Sequence, residues 1–364
     1  MLSSLLKERF LFVGLAVAIV AYAMEHSLLD MGRLPVLIAA FVLVLAIVLV
    51  STRIAHHAEI LASKVGDPYG TMILTLSAVL VEVVILAIMM QGETSPTLVR
   101  DTIYAAVMLD INGILGLAAL LGGIRHGEQP YNDDSGKTYG VMILTAMGIS
   151  MVVPEFVPRE SWHLYSTFTI GAMIALYALF LRMQVGAHSY FFSYAYPRAE
   201  RKEGSPSKAA DDSEAASLSI AVIIVGVGLI GALAEVMSVM LSTGLKGSGA
   251  PPALMAVVVA AISAAPEILT ALRAALANRM QSVVNIAMGA SLSTVILTVP
   301  VMEAIALFTG QPFIMAMTPV QTVMVTITLI AAAINLNDGE TNAIEGMTHF
   351  ILFATFIMLT LIGL

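Results

Sequence analysis

The chain contains no cysteine and a single tryptophan, and only 12% of its 364 residues are charged. Without cysteine there are no disulfides and no thiolate metal sites. The few basic residues are scattered, which excludes a phosphate-binding face and with it nucleic-acid partners, despite a net charge of −8 that says little by itself. No phosphate loop, zinc signature or nucleophile elbow is present, which argues against an enzyme and against a pump that hydrolyses ATP within this chain. Resident cofactors are not expected. What the chain has in abundance is apolar side chains, at 59%. A soluble domain is nearer half apolar and a quarter charged, so lipid is the expected solvent.

A membrane helix needs about 20 mostly apolar residues. Eleven stretches qualify, at roughly 10–29, 34–55, 70–91, 98–123, 138–158, 163–187, 217–241, 251–277, 282–308, 318–335 and 346–363. Clusters such as Lys64-Val65-Gly66-Asp67-Pro68 and Gly127-Glu128-Gln129-Pro130 punctuate them. The first stretch is long enough to span and lacks a small-residue cleavage site, so it reads as a membrane helix rather than a cleaved signal. Assigning loops alternately to two faces leaves only Arg33, Arg100, Arg159 and Lys246 opposite the N-terminus, and the other 13 of the 17 Lys and Arg on its side. Basic loops are retained in the cytoplasm, which places the N-terminus inside and the C-terminus outside.

The polar stretch Pro197 to Ala216 divides the chain into six spans and five. Setting the first span aside (residues 1–30) leaves two sets of five, 31–196 and 217–364, joined by the linker 197–216. Two odd-numbered sets in series sit in opposite orientations, the arrangement of inverted-repeat transporters. Weak internal similarity supports it. Ala58-Glu59-Ile60 precedes a span with Glu82, and Ala234-Glu235-Val236 precedes a span with Glu267. Asp110-Ile111-Asn112-Gly113 follows in one half and Gly289-Ala290-Ser291-Leu292-Ser293 in the other. The expected fold is therefore all-α and polytopic, one extra N-terminal helix plus two inverted five-helix repeats.

Hiding an ionised carboxylate near the bilayer centre costs roughly 2.5–3.5 kcal/mol on insertion scales. Glu82 sits in the middle of an apolar run with no basic neighbour in sequence, and Glu267 follows Pro266, whose ring frees the carbonyl of Ile262. The plainer alternatives are a neutral, hydrogen-bonded Glu and an incidental proline kink. Oxygen ligands suit hard cations. Burial favours the neutral form of a carboxylate and a bound cation favours the charged form, so protons and a cation compete for such a pair. Asp110, Asn112, Ser263, Ser291 and Ser293 offer further oxygens for cation or proton binding, although small hydroxyls in membrane helices are often packing residues. Glu235 and Glu59 are candidates for a cation entry path or gate, or for a simple interface. His56 and His57 point in different directions on one helix, which makes a paired metal site implausible; pH sensing and a solvated loop are the remaining readings. Glu25, His26 and Glu303 lie near span ends and read as interfacial.

At these residues the chain resembles the calcium/cation antiporter superfamily, in particular its proton-coupled branch and the bacterial Cha-type sodium, potassium and calcium/proton antiporters. The resemblance is carried by Arg53 to Glu82 (RIAHHAEILASKVGDPYGTMILTLSAVLVE), by Ser263-Ala264-Ala265-Pro266-Glu267, and by Asp338-Gly339-Glu340-Thr341-Asn342 with Ile344-Glu345-Gly346. It implies eleven helices, an essential Glu from the second helix of each repeat (Glu82 and Glu267, the metal-binding pair), and ligand or gating roles around Asn112 and Ser291. It implies secondary active exchange of Ca²⁺, Na⁺ or K⁺ against H⁺ in a bacterial inner membrane, with inorganic cations, protons and membrane lipid as partners. The strict Gly-Asn-Ala-x-Glu pattern is absent from both halves, which removes a side-chain oxygen donor from each and leaves Na⁺ and K⁺ open beside Ca²⁺. A cation channel without proton coupling is the competing reading. An intramembrane hydrolase would need a nucleophile–base pair or a His/Glu metal motif that the spans lack.

Overall fold

The computed structural model describes residues 8–65, 69–91, 95–185, 192, 216–311 and 313–364. The linker 197–216 and the turn at 66–68 lie almost wholly outside these residues. All eleven expected spans are helices: α1 (Arg9–Asp30), α2 (Arg33–Val65), α3 (Tyr69–Gln91), α4 (Leu98–His126), α5 (Asp133–Phe156), α6 (Trp162–Val185), α7 (Ala216–Leu245), α8 (Ala253–Leu276), α9 (Met280–Thr309), α10 (Pro319–Asn335) and α11 (Ala343–Leu361). Ten are long and apolar enough to cross a bilayer, and α10 is a shorter apolar helix.

Local sequence explains the helix ends. Thr318 and Gln321 form a reciprocal capping box at the start of α10. The Asn342 side chain accepts from the backbone N–H groups of Ile344 and Glu345 at the start of α11. Three helices carry a widened, π-helical turn: α4 at Met108–Leu115, α5 at Gly148–Val152 and α9 at Thr294–Thr298. Such turns are rare and cluster at functional sites.

Helix α2 packs along α7, and α1 lies against both. Helix α3 packs on α7 and α9, while α8 packs on α2 and α4. Helix α4 also packs on α11 and α10, and α9 on α6 and α5. The α4–α11 contact is close: a Cβ at Gly116 would lie 2.8 Å from the Cβ of His349, so glycine is what lets these backbones meet.

The only departure from an all-helical chain among the described residues is a two-residue ribbon, β1 (Gln129–Pro130) paired antiparallel with β2 (Glu340–Thr341). It tests the span count. The two loops it joins must lie on one face, which requires an even number of crossings between them, and six helices, α5 to α10, intervene. The Arg53–Glu8 pair likewise places the end of α2 on the face where α1 begins.

Candidate acidic cavity

A cavity of about 790 Å³ opens among α3, α4, α5, α6, α8 and α9. Its lining starts at helix ends on the N-terminal face, with Met72 and Thr75 of α3, Gln184 of α6, and Ser282 and Asn285 of α9. It ends at Glu82, Asp110, Glu267, Ser293 and Thr294. Glu82 lies 13 residues into α3, which is about 20 Å along the axis and so near the bilayer centre. Among the described residues, no Lys, Arg or His lines the cavity.

The two glutamates sit in different surroundings. Glu82 Oε2 accepts hydrogen bonds from both Thr294 Oγ1 and Thr298 Oγ1, each at 3.0 Å, while its Oε1 is shielded and has no partner. Residues four apart share a helix face, so the widened turn of α9 presents both hydroxyls to a single oxygen. Each bond to a charged group contributes about 1.5–3 kcal/mol. Glu267 Oε2 is shielded and without a partner. Its electrostatic neighbours are carboxylates, Asp110 and Glu82. Asp110 in turn accepts from Ser291 Oγ at 3.2 Å. No three Asp, Glu or His among the described residues converge closely enough to form a metal cage. The acids line a space and do not grip a point.

The structure separates the remaining sequence candidates. Ser263 and Ser293 line the cavity, and Ser291 reaches it through Asp110. Asn112 does not line it. Two residues beyond Asp110 on a helix, it projects to roughly the opposite side. There its Nδ2 donates to Thr328 Oγ1 at 2.7 Å, and its Oδ1 meets His349 Nδ1 at 2.8 Å. Both ends of the amide are thus engaged between α4, α10 and α11.

Glu235 and Glu59 are exposed and away from the cavity. Glu235 accepts from the Tyr22 hydroxyl of α1 at 2.6 Å, which fits the interface reading. His56 is exposed, but His57 corrects the solvated-loop expectation: it is fully buried, with Nε2 3.2 Å from Glu8 Oε1 and Nδ1 3.1 Å from Ser219 Oγ. Glu8 also takes a two-pronged bond from Arg53, at 2.6 and 3.0 Å. Burial alone would raise the Glu8 carboxyl, but the Arg53 guanidinium and the His57 ring outweigh it and hold it below its ordinary value. A second correction concerns Glu303. It is buried rather than interfacial, because α9 turns it into the protein.

Sequence reasoning missed Thr294 and Thr298. Their four-residue spacing in an otherwise apolar run was the available signal. It also missed His349, whose role depends on a contact 237 residues away in the chain.

Eleven apolar helices around a cavity lined by three carboxylates define a polytopic integral membrane protein. The chain belongs to the sodium/calcium exchanger protein family, whose model matches residues 10–186 and 218–362. It is similar to the sodium-potassium/proton antiporter ChaA of Escherichia coli, at 32% identity over 328 residues covering 89% of each chain. It is also similar to the y4hA protein of Sinorhizobium fredii, at 30% identity over 84% of each chain. Among solved structures, native YfkE superposes with a TM-score of 0.73 at 16% identity, covering 97% of this chain and 98% of the other, a likeness of fold.

Proposed function

We propose that this protein is a secondary active antiporter that extrudes Ca²⁺, Na⁺ or K⁺ from the cytoplasm in exchange for H⁺. The observation that carries this reading is the cavity, which three carboxylates (Glu82, Asp110 and Glu267) line with no basic residue beside them among the described residues. Acids without a counter-charge at membrane depth are stable when neutralised by protons or by a cation, and one site that accepts either is the core of an exchanger. The relatedness to a sodium-potassium/proton antiporter supports the same chemistry.

Glu82 and Glu267 bind cation or protons competitively, with Asp110, Ser263 and Ser293 as further oxygen donors and Ser291, Thr294 and Thr298 as hydroxyls that hold the acids. Asn112 acts through its helix, not as a direct ligand. With the N-terminus cytoplasmic, the cavity faces the cytoplasm, and the cation loads from there. Opening to one face only favours alternating access over an open channel. The packing supports two repeats related by exchange: swapping α2–α6 for α7–α11 turns the α3–α9 contact into α8–α4, α3–α7 into α8–α2, and α4–α11 into α9–α6.

The test uses inside-out vesicles with an acidified interior. Adding Ca²⁺, Na⁺ or K⁺ collapses the pH gradient if exchange occurs. A reversal potential that shifts with pH marks coupling, and one that depends on the cation alone marks a channel and defeats the proposal.

A further inference from the structure

Glu303 is a buried acid that does not line the cavity. It lies on α9 only six residues from the helix end at Thr309, about 9 Å from the face opposite the N-terminus. A carboxylate so close to water reaches it cheaply by extending outward. Glu303 instead is 3% exposed, on a stretch of α9 packed against α6 and α3, and its Oε2 is shielded without a hydrogen-bond partner.

Its place on α9 gives this burial a direction. Thr298, fully buried, holds Glu82 from the cavity floor, and Glu303 follows five residues later, about 8 Å farther toward the opposite face. Tyr165 of α6 lies within its electrostatic reach and donates its hydroxyl to the carbonyl of Ile149, in the widened turn of α5. Glu303 therefore sits just beyond one widened turn and beside a residue tied to another. Such turns are frequent at functional sites. Among the described residues, the lining of the cavity does not extend to this level.

We propose that Glu303 is a second acidic station on the translocation path, lying between Glu82 and the opposite face, which binds an inorganic cation in transit when the path opens to that face. The proposal rests on the antiporter reading for its cargo, but its placement can be tested separately. Because the chain has no cysteine, Glu303→Cys can be probed without background using a charged, membrane-impermeant thiol reagent. Modification from the opposite face, accelerated during exchange, is expected; modification only from the N-terminal face, or from neither, overturns the proposal. In proteoliposomes, Glu303→Gln is expected to slow exchange about tenfold while equilibrium cation binding from the N-terminal face is unchanged, with Glu303→Asp recovering most of the rate. A Glu303→Gln protein that exchanges at the wild-type rate also overturns it. If the wild-type protein shows no proton-coupled flux, the antiporter reading fails, and the labelling of Glu303→Cys still decides whether a path reaches this residue. If Glu303→Gln does not fold, that labelling decides alone.

Discussion

Glu82 and Glu267 occupy matching positions in the two halves of the chain but keep different company. Glu82 is held by two threonine hydroxyls on one oxygen. Glu267 has a shielded, unpartnered oxygen and faces the carboxylate of Asp110. Hydroxyl donors satisfy a charged carboxylate, whereas a second carboxylate repels it until a proton or cation intervenes. Two acids that look equivalent in sequence are thus held differently: the charged form of Glu82 is hydrogen-bonded, and that of Glu267 is opposed by a neighbouring carboxylate.

The largest expected effect breaks both sides of this comparison at once. Glu82→Gln and Glu267→Gln should each lower cation-coupled proton flux by about a hundredfold or more, as expected when a group essential to the bound state is lost. Full flux in either variant would remove that residue from the site. Asp110→Asn should act through Glu267 and slow exchange by about tenfold. The loss should be greater for divalent than for monovalent cations, because one of three charges is gone. A selectivity series across Ca²⁺, Na⁺ and K⁺ checks this, and an equal loss for all three would mean that Asp110 does not face the cargo.

Thr294→Val and Thr298→Val should each raise the half-saturating cation concentration about tenfold or more, with a larger effect in the double variant, since each removes one bond worth about 1.5 kcal/mol or more. Because neither hydroxyl touches Glu267, the maximal rate should change less. If both variants leave the half-saturating concentration alone, the hydroxyl cradle is packing only.

The smallest effect lies outside the cavity. Glu8→Gln should lower the thermal stability of the detergent-solubilised protein by about 1–3 kcal/mol at neutral pH. The Glu8 carboxyl is depressed in the folded protein, so its contribution is fully present above its ordinary value of 4.5 and fades as pH falls through the lower folded value. The stability gap between wild type and variant, measured by thermal unfolding, should therefore narrow toward acid. A gap that is constant with pH would mean that Glu8 contributes by packing and not by charge.

Much of this molecule was legible in its sequence, for physical reasons that also mark where legibility stops. Eleven spans follow from hydrophobic length alone, and Glu82, Asp110 and Glu267 stand out because charge is costly in apolar runs. The direction of Asn112 was not legible, since it depends on which side of a widened turn faces the cavity. The burial of His57 depends on Glu8, 49 residues earlier, and on Ser219, 162 residues later. The burial of Glu303 depends on how α9 packs against α6 and α3. Depth in the membrane is a property of a segment and can be read locally; facing is a property of the assembly and cannot.

The small ribbon between Gln129–Pro130 and Glu340–Thr341 has a consequence for biogenesis. Gln129 pairs with Thr341, 212 residues later in the chain. Chains are synthesised from the N-terminus, and contacts this distant close late. The loop after α4 must therefore wait, half-paired, while six more helices are inserted before its partner strand emerges. The ribbon therefore closes only once α10 has been made, and its formation reports that the six intervening helices are in place.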